Sequence, residues 1–308
     1  MRPSNAILMI ILVATAVSCA GGAKQVVPTH LSAGMGQIKK GNEWYQRGCY
    51  NRSLEHYMQA NERFSLSDQQ AGIAVSLNNI GNVYRILEDY DSAALFFDEA
   101  YRTYSALGDA EGMVRLLTNR ASVYLAQGEL AKAEATLNKA EVSKRQAGML
   151  YPPLERNRAI LLTRQGRYGQ AEAVLNELLP TIDPGNRTEI AATHVAFANI
   201  LTGTNRPLAA IDHLKAALSA DQWAGYHQGI ADDLTALGSI YQTTGNHQLA
   251  ADHYQRSLKI YALIGRNRKA MEILDRLEEI DRSKGLDLSL TKLFMDRWLE
   301  GKADHPCD

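Results

Sequence analysis

Apolar residues between residues 34 and 285 recur at helical spacing with charged positions opposite them, as in the stretch Leu130 to Val142. That pattern is itself periodic. Small residues stand at Gly41, Gly81, Ala121, Ala159, Ala198 and Gly238, in steps of 40, 40, 38, 39 and 40, and the period carries on to Glu278. Three residues after each small residue comes a large one: Trp44, Tyr84, Tyr124, Leu162, Leu201 and Tyr241. Seven after it come Gly48, Glu88, Gly128, Gly166, Asn205, Gly245 and Gly285. Twelve after it come Ser53, Ala93, Ala133, Ala171, Ala210 and Ala250, and sixteen after it Tyr57, Phe97, Leu137, Leu175, Leu214 and Tyr254.

This register predicts one helix, a tight turn and a second helix in each period. A turn glycine supplies the backbone freedom needed where the first helix stops. Small residues let two helix backbones approach, and the large positions fill the space between neighbouring repeats. Pro152, Pro153, Pro180 and Pro184 fall between the predicted helices, where a missing amide donor does no harm. An all-α fold of antiparallel helix pairs follows. In the fourth repeat Glu155 and Arg158 occupy positions that are apolar elsewhere, so its first helix is expected to be shifted or partly exposed. Gln37 and Lys40 do the same in the first repeat, which suits a terminal repeat without a neighbour. After Gly285 the rhythm changes. Leu290, Leu293, Phe294 and Trp298 form one apolar stripe, expected to be buried in a C-terminal capping helix, which an open array needs for solubility.

The run Leu77-x-x-Ile80-Gly81-x-x-Tyr84, with Tyr90, Ala93, Phe97 and Ala100, resembles the tetratricopeptide repeat. So does Leu234-x-x-Leu237-Gly238-x-x-Tyr241 with Ala250 and Tyr254. The 40-residue step is similar to the longer-helix variant of that repeat. The resemblance spans residues 34–285, six repeats and the start of a seventh, and implies a right-handed helical solenoid with first helices on the concave side. It implies concave-groove candidates at Asn42, Asn78, Asn82, Arg85, Arg115, Thr118, Ser122, Arg156 and Asn199. Asn side chains both donate to and accept from an extended peptide backbone, and Arg offers forked donors for a carboxylate. Related domains clamp a peptide's terminal carboxylate with Asn and basic residues. Asn42 and Asn82 match the Asn, while Ile38 stands where that clamp has Lys. The implied partner is a protein or peptide in the groove. The implied role is a scaffold or adaptor in pilus, secretion or outer-membrane assembly, with a peptide-sensing regulator and a cell-wall enzyme accessory as alternatives.

Residues 1–18 carry one early positive charge, Arg2, and an apolar run from Ala6 to Val17. The run is too short for a bilayer, which takes about twenty residues, and reads as a secretory signal. Ser18-Cys19 after Ala16-Val17 resembles the bacterial lipobox, which implies a diacylated Cys19 as the new N-terminus. Residues 19–33 then form a tether with small residues at Ala20-Gly21-Gly22-Ala23, and residues 286–308 the cap and tail. The expected location is exported and lipid-anchored in the bacterial envelope. Ala20 implies the outer membrane, facing the periplasm.

Charge and cysteines narrow the classes further. Lys and Arg number 33 against 34 for Asp and Glu, so there is no basic excess for nucleic acid. Three cysteines are too few for a disulfide framework; Cys49 is expected as a buried thiol and Cys307 as a free or intermolecularly paired one. No phosphate-binding, dinucleotide, zinc-protease or nucleophile-elbow motif is present. His56, His213 and His253 are expected on solvated faces of second helices, and the pairs Asp232-Asp233 and Glu278-Glu279 in solvent. No catalytic residue, metal or cofactor is expected, and the oligomeric state is left open. Changing Cys19→Ser is expected to abolish incorporation of labelled fatty acid and to release the protein from membranes. Unchanged membrane retention of that variant excludes the anchor.

Overall fold

A computed structural model describes residues 29–285, 287–299 and 307; Cys19 and the apolar run before it lie outside the described residues. Those residues form fourteen α-helices and no strand. The first helices of successive repeats are α1 (Thr29–Gln46), α3 (Gln70–Ile86), α5 (Ala110–Gln127), α7 (Pro152–Arg164), α9 (Arg187–Gly203), α11 (His227–Thr243) and α13 (Asn267–Lys284). The second helices are α2 (Tyr50–Leu66), α4 (Tyr90–Leu107), α6 (Leu130–Ala147), α8 (Tyr168–Leu178), α10 (Pro207–Ala224), α12 (His247–Leu263) and α14 (Ser289–Leu299). The result is a helical solenoid. Its core is a string of apolar clusters, each shared by adjacent repeats, such as Ile38, Tyr57 and Phe64 with Ile80 and Val83.

Each column of the sequence has a place in this architecture. The seven turn positions all adopt left-handed backbone, with φ of 76, 65, 76, 74, 58, 83 and 67° from Gly48 to Gly285. Glu88 is the member of that set for which this conformation is costly, about 1–2 kcal/mol, because it carries a long side chain and no local cap. Asp89, Asp109, Asn186 and Asn246 begin helices by accepting a backbone N–H three residues on. The alanines twelve positions along are fully buried, and Ser53 in the same column satisfies its hydroxyl by donating to the Gly41 carbonyl at 2.9 Å.

The small position and the position sixteen residues later touch, and their volumes compensate. A Cβ on Gly81 would meet the Phe97 ring at 2.7 Å, and one on Gly238 the Tyr254 ring at 2.7 Å; Gly41 faces Tyr57 in the same way. Where the small residue is Ala, at 121, 159 and 198, the later one is Leu, at 137, 175 and 214. Glycine goes with an aromatic ring and alanine with leucine, so the space between the paired helices stays nearly constant.

Several expectations are corrected. The fourth repeat is short, α7 having 13 residues and α8 having 11. Its first helix is partly exposed at Glu155 and Arg158, as expected, and both belong to an ionic cluster, with Lys144 Nζ 2.5 Å from Glu155 and 3.0 Å from Glu141. Three of the four stripe residues on α14 are not core, with Leu290 and Leu293 64% and 65% exposed and Phe294 exposed as well. The cap is made by Leu288, Met295 and Trp298, because α14 turns that face onto the last apolar cluster. His56, His213 and His253 are partly buried against the preceding first helix, not solvated. His56 Nδ1 lies 2.7 Å from Gln37 Oε1, His213 stacks on Phe197, and His253 stacks on Tyr241.

The solenoid also meets itself. His227 Nδ1 lies 3.0 Å from the Arg47 carbonyl, Arg266 donates to the Ile86 carbonyl at 3.1 Å, and Arg268 pairs with Glu88. Each of these contacts joins residues 180 apart. One superhelical turn therefore takes about four and a half repeats. The within-repeat turns of repeats one and two then abut the between-repeat turns that follow repeats five and six. A Cys49–Cys307 disulfide stitches the same seam, which overturns both thiol expectations.

The volume rule is testable. Gly81→Ala is expected to cost about 1–3 kcal/mol by overpacking against Phe97. Adding Phe97→Leu, which rebuilds the chain's own Ala–Leu combination, is expected to recover part of that cost in urea unfolding. Independent, additive effects of the two changes would sink the rule.

Candidate binding groove

Closure of the coil brings first helices from opposite sides together around a cavity of about 400 Å³. Its walls come from the C-terminal ends of α1 and α3, with Asn42, Tyr45 and Arg85, and the N-terminal ends of α7 and α9, with Arg156 and Glu189. Tyr226, in the turn before α11, closes the wall. A smaller cavity of about 190 Å³ continues from Arg85 and Tyr226 to Asp232, Arg266 and Lys269. A segment threaded here would meet polar groups from several repeats at once.

The predicted candidates divide three ways. Asn42, Arg85 and Arg156 line the larger cavity. Asn42 Oδ1 accepts the Tyr57 hydroxyl at 2.6 Å, which ties its orientation to the packing column. Asn82 is held behind them, donating to Tyr45 Oη at 3.0 Å and accepting from Arg85 Nε at 2.9 Å. Asn78, Thr118 and Ser122 serve the joints between first helices. Asn78 Oδ1 accepts from Asn119 Nδ2 at 3.1 Å, and Asn157 Nδ2 donates to the Thr118 carbonyl at 3.0 Å and to Ser122 Oγ at 2.8 Å. Asn78 and Thr118 are buried there. Arg115 is exposed beside Glu111 and over the Tyr151 ring, and Asn199 is exposed away from the cavity.

Electrostatics separate the two lumenal arginines. Arg156 forms a two-pronged pair with the buried Glu189, Nε to Oε1 at 2.8 Å and Nη2 to Oε2 at 3.3 Å, so its charge is matched. Arg85 has only Asn82 as a hydrogen-bond partner and no carboxylate within ion-pair distance among the described residues. It is the unmatched cation of the cavity wall, with the remaining donors of its fork free for an anionic group. Tyr45, Glu189 and Tyr226 were missed in the sequence. Tyr45 follows the aromatic Trp44 and carries a weak signal; Tyr226 carries none, because only the coil's pitch brings it inward.

Next to the smaller cavity the adjacent acids are not both solvated, contrary to expectation. Asp233 and Asp221 are buried, and Asp233 Oδ2 and Asp221 Oδ1 have no hydrogen-bond partner. Gly229 leaves room for the Asp221 carboxyl where Gly72 and Gly112 receive the rings of Phe64 and Tyr104. Burial, reinforced by negative neighbours, pushes Asp221 up to about 7 and Asp233 up to about 9. Asp232 stays at the rim, accepting from Gln228 at 3.0 Å and pairing with Lys269 at 3.0 Å. Among the described residues no group of three His, Cys, Asp or Glu side chains is arranged to hold a metal.

Stacked antiparallel helix pairs around a polar lumen define a helical-repeat interaction solenoid. The tetratricopeptide-repeat family matches residues 44–106, 114–139, 152–177 and 189–263, together more than half of the chain. The chain belongs to that family, whose repeats are protein–protein interaction scaffolds. No curated protein matches it. Among solved structures, the Rap protein complexed with competence and sporulation factor is 14% identical, with 83% of this chain and 76% of that one covered and a TM-score of 0.58. BtubC from P. vanneervenii is 15% identical, covering 78% and 93% of the two chains at a TM-score of 0.48. A tetratricopeptide repeat protein from Parabacteroides merdae is 14% identical, covering 79% and 98% at 0.39. The first of these likenesses supports the fold.

The buried acids generate a pH prediction. Folded Asp233 keeps its proton up to about pH 9, whereas an unfolded carboxyl loses it near pH 4. The folded state holds the extra proton across that window, so stability falls as pH rises through it. Asp233→Asn is expected to raise Tm at pH 8 and to leave it nearly unchanged at pH 4. Equal shifts at both pH values in a thermal melt would refute the assignment.

Proposed function

We propose that this chain is an exported, lipid-anchored scaffold of the bacterial envelope that holds an extended protein segment in its lumen. The observation that carries the reading is the convergence of Asn42, Tyr45, Arg85, the Arg156–Glu189 pair and Tyr226 on one cavity. Asn42 and the tyrosines suit a peptide backbone. Arg85 suits an acidic side chain or a terminal carboxylate. The Cys49–Cys307 bridge supports export, since disulfides form and persist in oxidising compartments. Cys19 supplies the anchor. No helix among the described residues is long and apolar enough to cross a membrane. The scaffold serves assembly or recruitment in pilus, secretion or outer-membrane pathways, with no catalytic step of its own.

A second reading is a sensor that changes superhelical pitch when a segment binds. The self-contact at 180-residue separation favours it, because a ligand touching both sides of the lumen would bias that contact.

The test is an array of acidic peptides with free or amidated C-termini, read against the wild type and Arg85→Ala. Free-carboxylate or acidic peptides are expected to bind the wild type and to lose about tenfold in affinity with Arg85→Ala, the weight of one charge-assisted hydrogen bond. Equal affinity of both proteins for every peptide would remove the lumen from consideration.

A further inference from the structure

The seam that closes the coil is thinly made. Among the described residues its contacts include two hydrogen bonds to backbone carbonyls, the exposed Arg268–Glu88 pair, a close approach of Ile264 to Gly48, Arg266 over the Tyr50 ring, the Tyr226 side chain beside Tyr50, and the disulfide. Exposed ion pairs add little. The disulfide is the covalent tie, and it joins the first repeat to the tail 258 residues on.

Two observations mark the seam as more than an accident of coiling. Glu88 keeps a left-handed turn where five of the other turns have Gly and one has Asn, and its carboxylate reaches Arg268 across the seam. A residue that is locally unfavourable makes its long-range contact here. The two sulfurs are also unequal: Cys49 is buried, whereas Cys307 is partly exposed beside a surface cavity of about 380 Å³. That cavity is lined by Asn51, Arg52, Glu55, Leu87 and Arg266, and gives an approach to the bridge. Arg52 Nε donates to the Cys307 carbonyl at 3.1 Å while its Nη1 lies 3.6 Å from Glu55, so a paired guanidinium stands beside the bridge.

We propose that Cys49–Cys307 is an exchangeable bridge, opened by a dithiol reductant, that sets whether the coil is closed around its lumen. The consequence for binding rests on the lumen being the binding site. In the first step a reductant thiolate attacks Cys307 Sγ, the bond to Cys49 breaks, and Cys49 leaves as a thiolate into the cavity that Arg52, Glu55 and Arg266 line. In the second, the other thiol of the reductant attacks the mixed disulfide and releases Cys307. Two electrons and two protons pass from the dithiol to the two cysteines, and the reductant leaves as a disulfide. With the bridge gone the remaining seam contacts compete with water. The walls contributed by α1 and α3 then separate from Tyr226 and the turn before α13.

The experiment is hydrogen exchange of the full chain before and after dithiothreitol under native conditions, with alkylation to count thiols. Glu88→Gly, which relieves the turn and removes the ion pair, is measured in parallel. Reduction is expected to free both thiols without unfolding. Exchange at residues 45–50, 84–90, 224–230 and 262–270 is expected to rise at least fivefold, while residues 110–147 stay unchanged. Oxidised Glu88→Gly is expected to show a smaller rise in the same four segments. A bridge that resists dithiothreitol until the fold melts overturns the proposal, as do alkylation of Cys49 and Cys307 before treatment, or seam exchange unchanged after complete reduction. Exchange is read without any ligand, so failure of the lumen to bind peptides leaves this result standing, and the reverse also holds.

Discussion

The contact between the small residue of each first helix and the side chain sixteen positions later sets the rest of the molecule. It fixes how closely the two helices of a pair approach, and every other distance in the array is built on that spacing. Gly41 against Tyr57, Gly81 against Phe97 and Gly238 against Tyr254 use a ring and no Cβ. Ala121, Ala159 and Ala198 use a methyl group and leave the space to Leu. Close-packed interiors tolerate neither a void nor an overlap of a methylene's size, so the two columns vary together. The irregular fourth repeat keeps its Ala159–Leu175 pair while its helices shorten. It replaces apolar contact on the preceding side with the Lys144, Glu141, Glu155 and Arg158 cluster.

Equal spacing repeated along a chain produces a regular rotation per repeat, and a solenoid accumulates that rotation into curvature. Here the accumulation returns the chain to itself after 180 residues. The concave side becomes a lumen instead of an open trough. Polar side chains that are far apart in sequence then share one cavity, and that sharing makes the surface suited to an extended segment. Asp221 and Asp233 are buried for a local reason, at the joint between α10 and α11 where Gly229 admits the Asp221 carboxyl, and burial there raises their affinity for protons.

The seam and the lumen are two faces of one geometry. Glu88 shows how they are linked: a turn residue of the second repeat holds an unfavourable backbone conformation while its carboxylate pairs with the start of α13. Tyr50, on the buried side of the first turn, lies under the Arg266 guanidinium, whose other contact is the Ile86 carbonyl. A change in the pitch of any intervening repeat would be felt at these residues, since they stand at the two ends of one coil.

Helix pairs, turn positions and the contact column were legible in the chain because each is set by residues within about twenty positions of one another. Spacing of 3.6 residues per turn and a left-handed turn residue leave direct traces in sequence. The concave candidates were legible only as a set of faces. Asn42, Arg85 and Arg156 reach the cavity, whereas Asn78 and Thr118 are drawn into the joints between helices, a choice made by packing distance that periodicity does not encode. The partnership of Cys49 with Cys307, the inward place of Tyr226 and the burial of Asp233 belong to the tertiary structure alone. The first two depend on the summed rotation of several repeats, and no local pattern carries a sum; the third depends on the α10–α11 joint, where a carboxyl takes the place that a ring fills at other joints.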